Sequence, residues 1–193
     1  MAERQTRHIN RVPAVNIHHA TRYAQRCGFP LNTFVTVNFT ALGIDVKASS
    51  TLRRLLSQRF APWLRRSAQI KARIVPTYVW TIENTAATVA AHLLMHIPKG
   101  AKRAFGERLH SWLEGLSGTR PEPRVIQVKR VYNMIGARRY VLKGVNPIWA
   151  AHLGVRSSDQ GIVNGKRSGF SRNLGPTARK AGGYTPRRQV VRI

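Results

Sequence analysis

The stretch Thr88-Val-Ala-Ala-His-Leu-Leu-Met-His-Ile-Pro98 is a short apolar run interrupted by His92 and His96. A second apolar run, Tyr78-Val-Trp-Thr-Ile82, lies just upstream and ends on Glu83. The polar connection Asn84-Thr85-Ala86-Ala87 joins them, so residues 74–83 and 88–97 read as the two strands of a hairpin. Buried strands seldom keep ionisable side chains without partners, which makes Glu83 and the histidines candidates for a site.

Strand geometry limits that site. Alternate side chains share a face, so Ala90, His92, Leu94 and His96 point the same way. At a rise of about 3.3 Å per residue, His92 and His96 stand about 13 Å apart. Metal–nitrogen bonds are about 2 Å, so one extended strand cannot bring both to a single ion. A carboxylate opposite His92 would give a mixed nitrogen and oxygen set suited to Mg²⁺ or Mn²⁺. The alternative for Glu83 is a solvated strand end or an arginine pair.

Working outward, Thr33-Phe-Val-Thr-Val-Asn-Phe-Thr40 is β-branched, aromatic and partly alternating, and predicts a strand. A helix is expected from Pro13 to about Cys27, ending at Gly28. Residues 50–69 carry Leu52, Leu55, Leu56, Phe60 and Leu64 on one stripe and arginines on the other, with a break allowed at Pro62. Ala101 to Leu116 is a second amphipathic helix. Arg124 to Lys129 reads as a strand, and Arg130 to Leu142 as a helix. The order predicts an α+β fold, an antiparallel sheet with flanking helices. Three regions are expected: a loose basic arm over 1–13, the α+β domain over 14–150, and a basic, glycine-rich tail over 151–193.

Charge narrows the partner. The 193 residues hold 33 Lys and Arg against 7 Asp and Glu, a net charge of +26. A chain this cationic repels itself unless it meets a polyanion, so nucleic acid leads. Arginine outnumbers lysine 25 to 8, which favours forked contacts to phosphate and bases. Arg138, Arg139, Lys166, Arg167, Arg172, Arg179 and Lys180 are the candidate contacts. A single cysteine, Cys27, excludes an internal disulfide and a cysteine zinc cluster. No apolar run approaches the roughly 20 residues a membrane span needs, and residues 1–7 have no signal-like apolar stretch, so the expected location is cytoplasmic.

Tyr140 and Lys143 form Tyr-x-x-Lys, which a helix places on one face. A tyrosine hydroxyl can attack a phosphodiester and form a phosphotyrosine link, and a nearby lysine can stabilise charge on the phosphate. The plainer reading is a surface tyrosine beside a solvated lysine.

Taken together, Phe34-Val-Thr-Val-Asn-Phe39, Glu83 with Ala90-Ala-His92, and Tyr140-Val-Leu-Lys143 resemble the three ordered motifs of the HUH endonucleases, the rolling-circle replication initiators. The likeness spans about residues 33–144. It implies a tyrosine nucleophile at Tyr140 acting on single-stranded DNA, with Lys143 beside it and a divalent ion, Mg²⁺ or Mn²⁺, on Glu83 and His92. The family's pattern has histidine where this chain has Ala90, which removes one ligand. Gln160-Gly-Ile-Val-Asn-Gly-Lys-Arg-Ser-Gly169 also resembles the end of uncharacterised bacterial proteins with this layout. Three readings follow: a single-strand nickase impaired by Ala90, a non-catalytic nucleic-acid-binding protein on the same fold, and a basic RNA-associated structural protein. The last expects no compact Glu83–His92 pair.

Overall fold

The computed structural model describes residues 4–67 and 74–185. Its centre is a five-stranded antiparallel sheet in the order β5-β2-β4-β3-β7. The strands are β2 (Thr33–Asn38), β3 (Tyr78–Thr85), β4 (Thr88–Met95), β5 (Ile126–Arg130) and β7 (Ser168–Phe170). A separate two-stranded pairing joins β1 (Gln5–Thr6) to β6 (Val163–Asn164). The α+β expectation and its antiparallel sheet are therefore observed.

Helices cover both faces of the sheet. On one face, α2 (Ala48–Arg54), the turn that joins it to α3 (Ala61–Arg66), and α4 (Lys102–Ser117) pack Leu52, Leu56, Phe60 and Phe105 on Val35, Val37, Ile82 and Leu93. On the other, α1 (Arg11–Arg26) and α5 (Met134–Val141) pack on Val79 and Leu94. This double cover explains why β4 reads as a nearly continuous apolar run rather than an alternating one. Fully buried side chains such as Phe39, Phe60 and Phe105 each contribute up to about 3 kcal/mol.

The β3–β4 turn is Ala86-Ala87, with both residues at positive φ, 47° and 59°. That is the backbone of a tight hairpin turn, and alanine adopts it at some cost. Thr40 helps to hold the turn, its hydroxyl accepting from the Val89 amide at 2.8 Å. The helix expected over 50–69 stays helical through Pro62 but ends at Arg66, where Ser67 turns extended, and residues 68–69 lie outside the described residues. It widens into a π-helical turn over Leu55–Phe60, just before the proline, which has no N–H to bond back.

Three expectations are corrected. Residues 130–133 are not helical: β5 runs through Arg130, paired with Thr33, and α5 starts after the Asn133 cap, whose side chain accepts from Gly136 N at 2.9 Å. The described part of the N-terminal arm is not loose, since Ile9 is buried and its amide donates to Gly144 O at 2.8 Å. The described part of the C-terminal region is not an extended tail. Strand β7 pairs with β3, and α7 (Pro176–Ala181) docks on α1 through Tyr23, whose hydroxyl donates to Ala178 O at 3.1 Å. Between α5 and β6 the chain makes the short helix α6 (Pro147–Ala150).

The glycines of this region are contacts rather than flexible spacers. A Cβ at Gly161 would overlap the Asn84 carbonyl oxygen, and its φ is +64°. A Cβ at Gly169 would sit 2.8 Å from the Trp80 ring. Gly161→Ala is therefore expected to destabilise the protein by about 3 kcal/mol or more, while Gly100→Ala, with open space around it, changes stability by less than about 1 kcal/mol. Urea unfolding of the two variants checks this.

Candidate functional site

Antiparallel register aligns side chains from neighbouring strands on one face. Gln127, Thr36, His92, Thr81 and Ser168 are paired in turn across β5, β2, β4, β3 and β7. This polar row crosses the whole sheet on the face that α1 and α5 cover. The adjacent row is Asn38, Ala90 and Glu83. Glu83 and His92 are thus diagonal neighbours on a hairpin, within reach of each other's side chains.

They meet. His92 Nε2 lies 2.9 Å from Glu83 Oε1, and His92 Nδ1 lies 3.1 Å from the Thr36 hydroxyl. From the turn just after α5, Lys143 Nζ reaches Glu83 Oε2 at 2.6 Å. Its ammonium also stands 4.2 Å from the centroid of the Tyr140 ring. Tyr140 closes the group, edge-on to His92 at 5.0 Å and to Phe34 at 5.6 Å between ring centroids. The Glu83 side chain is only 13% exposed and His92 5%, whereas Tyr140 is 43% exposed. A buried acid and a buried imidazole are therefore covered by a tyrosine that solvent reaches.

The electrostatics centre on Glu83. Burial opposes its charge, but the close contacts and charges of His92 and Lys143 outweigh burial and hold its carboxyl below the usual range. Burial likewise opposes the charge on Lys143, and Glu83 and Tyr140 together outweigh it, raising the ammonium above its ordinary value. The contacts are close but imperfectly aligned: neither Glu83 Oε2 nor His92 Nε2 has a hydrogen-bond partner of acceptable angle.

These donors can be weighed against a divalent ion. Two donors bound about 2.1 Å from an octahedral ion at adjacent positions lie about 3 Å apart, close to the 2.9 Å between His92 and Glu83. The rest of the set does not fit. Ala90, paired with Glu83 in the same row, offers no donor, and the Lys143 ammonium already neutralises the carboxylate. Among the described residues no group of three or more His, Cys, Asp or Glu could hold a metal ion. His96 is remote from the group, its Nδ1 against Pro30 O at 2.8 Å, as the strand spacing requires.

The other candidate residues separate by exposure. Arg139, Lys166, Arg172 and Lys180 are exposed, and Arg138 is half-buried. Arg167 and Arg179 are corrections, being 3% and 8% exposed. Arg167 donates to the carbonyls of Arg7, Gln160 and Gly161, and burial brings its pKa down to about 10. Arg179 donates to Leu174 O and Asn16 O, each at 3.1 Å. Both guanidiniums fasten the C-terminal region to the domain and are not free for phosphate.

Residues that sequence reasoning did not single out border the site. A groove of about 560 Å³ lies beside Tyr140, walled by Phe34, Thr36, Gln127, Lys129, Tyr132 and Asn133. Tyr132 is 84% exposed, with the Arg130 guanidinium 5.0 Å from its ring centroid. The signal available for Thr36 and Gln127 was strand alternation. Nothing in the sequence gave the register that lines them up with His92.

Comparison with family models, curated proteins and solved structures returns no match to this chain. No described helix is long and apolar enough to cross a membrane.

Removing Lys143 leaves a buried carboxylate uncompensated. Lys143→Met is expected to cost about 3 kcal/mol at neutral pH, at the low end for breaking a buried ion pair. The pH dependence has a definite sign. Glu83 has a lowered folded-state pKa, so its contribution is present above its ordinary value of 4.5 and fades as pH falls through the folded value. Lys143 has a raised one, so its contribution is present below 10.5 and fades as pH rises through the folded value. The stability difference between wild type and Lys143→Met, from denaturant unfolding, should be flat near neutrality and shrink at both extremes.

Proposed function

We propose that this protein processes single-stranded DNA by a tyrosine nucleophile, with Tyr140 as the attacking group. One observation carries the reading: Tyr140 is a half-exposed phenol beside a lysine ammonium, set over the nearly buried Glu83–His92 pair at the rim of a groove whose walls include Lys129 and Arg130. The net charge of +26 supports a polyanionic substrate. The likeness to HUH endonucleases in motif order, and the antiparallel sheet with helices on its faces, support the same class.

In this reading a DNA strand lies in the groove along β5, with its scissile phosphate near Lys143. The Tyr140 oxygen forms a bond to phosphorus as the P–O3′ bond breaks. The 3′ oxygen leaves and takes up a proton, and the phenolic proton passes to solvent at the exposed ring. The product is a 5′-phosphotyrosine link and a free 3′-hydroxyl. Lys143 supplies the positive charge that offsets charge developing on the phosphate and the phenolate. Glu83 holds that ammonium, and His92, anchored by Thr36, holds Glu83. Tyr132 offers a ring on which a base stacks.

Incubating the full chain with single-stranded oligonucleotides, with Mn²⁺ and with chelator, tests this by intact mass. A covalent oligonucleotide adduct lost in Tyr140→Phe is expected, and no adduct under any condition would overturn the catalytic reading. Tyr132→Ala should weaken strand binding by about 1–3 kcal/mol in fluorescence anisotropy.

Ala90 favours a second reading, a non-catalytic nucleic-acid-binding protein on the same fold. It predicts unchanged strand affinity in Tyr140→Phe and no cleavage by wild type. Ala90→His separates the two. It adds a donor in the Glu83 row, so metal-dependent adduct formation in that variant alone would mark a disabled nickase. A third reading, a basic structural protein on RNA, expects Glu83 and His92 apart, and the 2.9 Å contact counts against it.

A further inference from the structure

The sheet face away from Tyr140 carries a second opening. It is about 280 Å³, lies between the α2–α3 run and α4, and is lined by Gln58, Arg59, Trp63, Arg66, Arg108 and Trp112. The lining combines three guanidiniums and two indoles and contains no carboxylate. Arg59, Arg66 and Arg108 are exposed, and none forms an ion pair among the described residues.

The two tryptophans are held in place. Trp63 meets Trp112 edge to face at 5.6 Å between centroids, and lies 5.9 Å from Phe105 and 6.2 Å from Phe60. Phe60 and Phe105 are buried, so the indoles rest on the core and are only partly covered themselves. Core packing alone accounts for apolar rings here. It does not account for three arginines gathered round them without an acid.

Gln58 and Arg59 project from the π-helical turn Leu55–Phe60. Such turns are rare and frequent at functional sites, and this one also accommodates Pro62.

We propose that this pocket binds a single nucleotide unit, a base with its sugar phosphate. The base lies against the indole surface, the arginines take the phosphate in forked contacts, and the Gln58 amide is available to a base edge. The volume lies near the lower end for ligand pockets, which suits one nucleotide unit and not a duplex. That unit is either a free nucleotide or one residue of a strand. The site is on the opposite face from Tyr140 and does not depend on the chemistry proposed there.

The full chain carrying Trp149→Phe removes the tryptophan beside Arg11, leaving Trp63, Trp112 and the buried Trp80 as emitters. Its fluorescence is titrated with adenosine monophosphate and, separately, with a short oligodeoxyadenylate. Quenching by the nucleotide identifies a free-nucleotide site, and quenching by the oligonucleotide alone identifies a strand contact. In either case, adding Arg59→Ala with Arg108→Ala should weaken the quenching ligand at least about tenfold. For the oligonucleotide, the salt dependence should also flatten by roughly 0.7 per lost phosphate contact. No quenching by either ligand, or quenching unchanged by the arginine substitutions, overturns the proposal. Adduct formation at Tyr140 is read separately by mass, so failure of one site leaves the other standing.

Discussion

The Glu83 carboxylate is the constraint on which the site depends. It is nearly buried, contacts an imidazole on one oxygen and an ammonium on the other, and belongs to a chain with very few acids. Without Lys143 it would be a desolvated charge costing several kcal/mol. With Lys143 it ties α5 to the β3–β4 hairpin. That tie brings the Tyr140 ring over His92 while its exposed edge still faces solvent. A single electrostatic contact thus couples the sheet, the α5 segment and the Tyr140 phenol.

The same contact bears on metal chemistry. A carboxylate that already holds an ammonium at 2.6 Å is a weaker partner for a divalent ion. Ala90, in the same row as Glu83, contributes no donor to compensate. In the proposed reaction the positive charge beside the phosphate therefore comes from a side chain, Lys143. Lysine is a compact point charge on a flexible stem, well suited to follow a phosphate as its geometry changes.

Much of this was legible in the sequence, and the reasons differ by element. The hairpin, the helices and the α+β class followed from hydrophobic period and turn residues. Glu83, His92, Tyr140 and Lys143 were singled out as residues, and strand rise alone kept His96 out of the group. Register was not legible, because pairing Thr36 and Thr81 with His92 requires knowing which strands adjoin. The C-terminal region misled because its glycines and arginines look like a phosphate-binding tail. Gly161 and Gly169 are instead small because Asn84 and Trp80 approach them closely. Arg167 and Arg179 are long enough to reach backbone carbonyls on distant segments. Composition cannot tell a guanidinium that binds its own backbone from one that binds nucleic acid.

The site depends on Glu83 being ionised, nearly buried and held by Lys143. A carbon-detected NMR titration of the Glu83 carboxyl in the folded protein measures this directly. The midpoint is expected below 4.5 and to rise in Lys143→Met. A midpoint above 4.5 in the wild type, or one that Lys143→Met leaves unmoved, would contradict this.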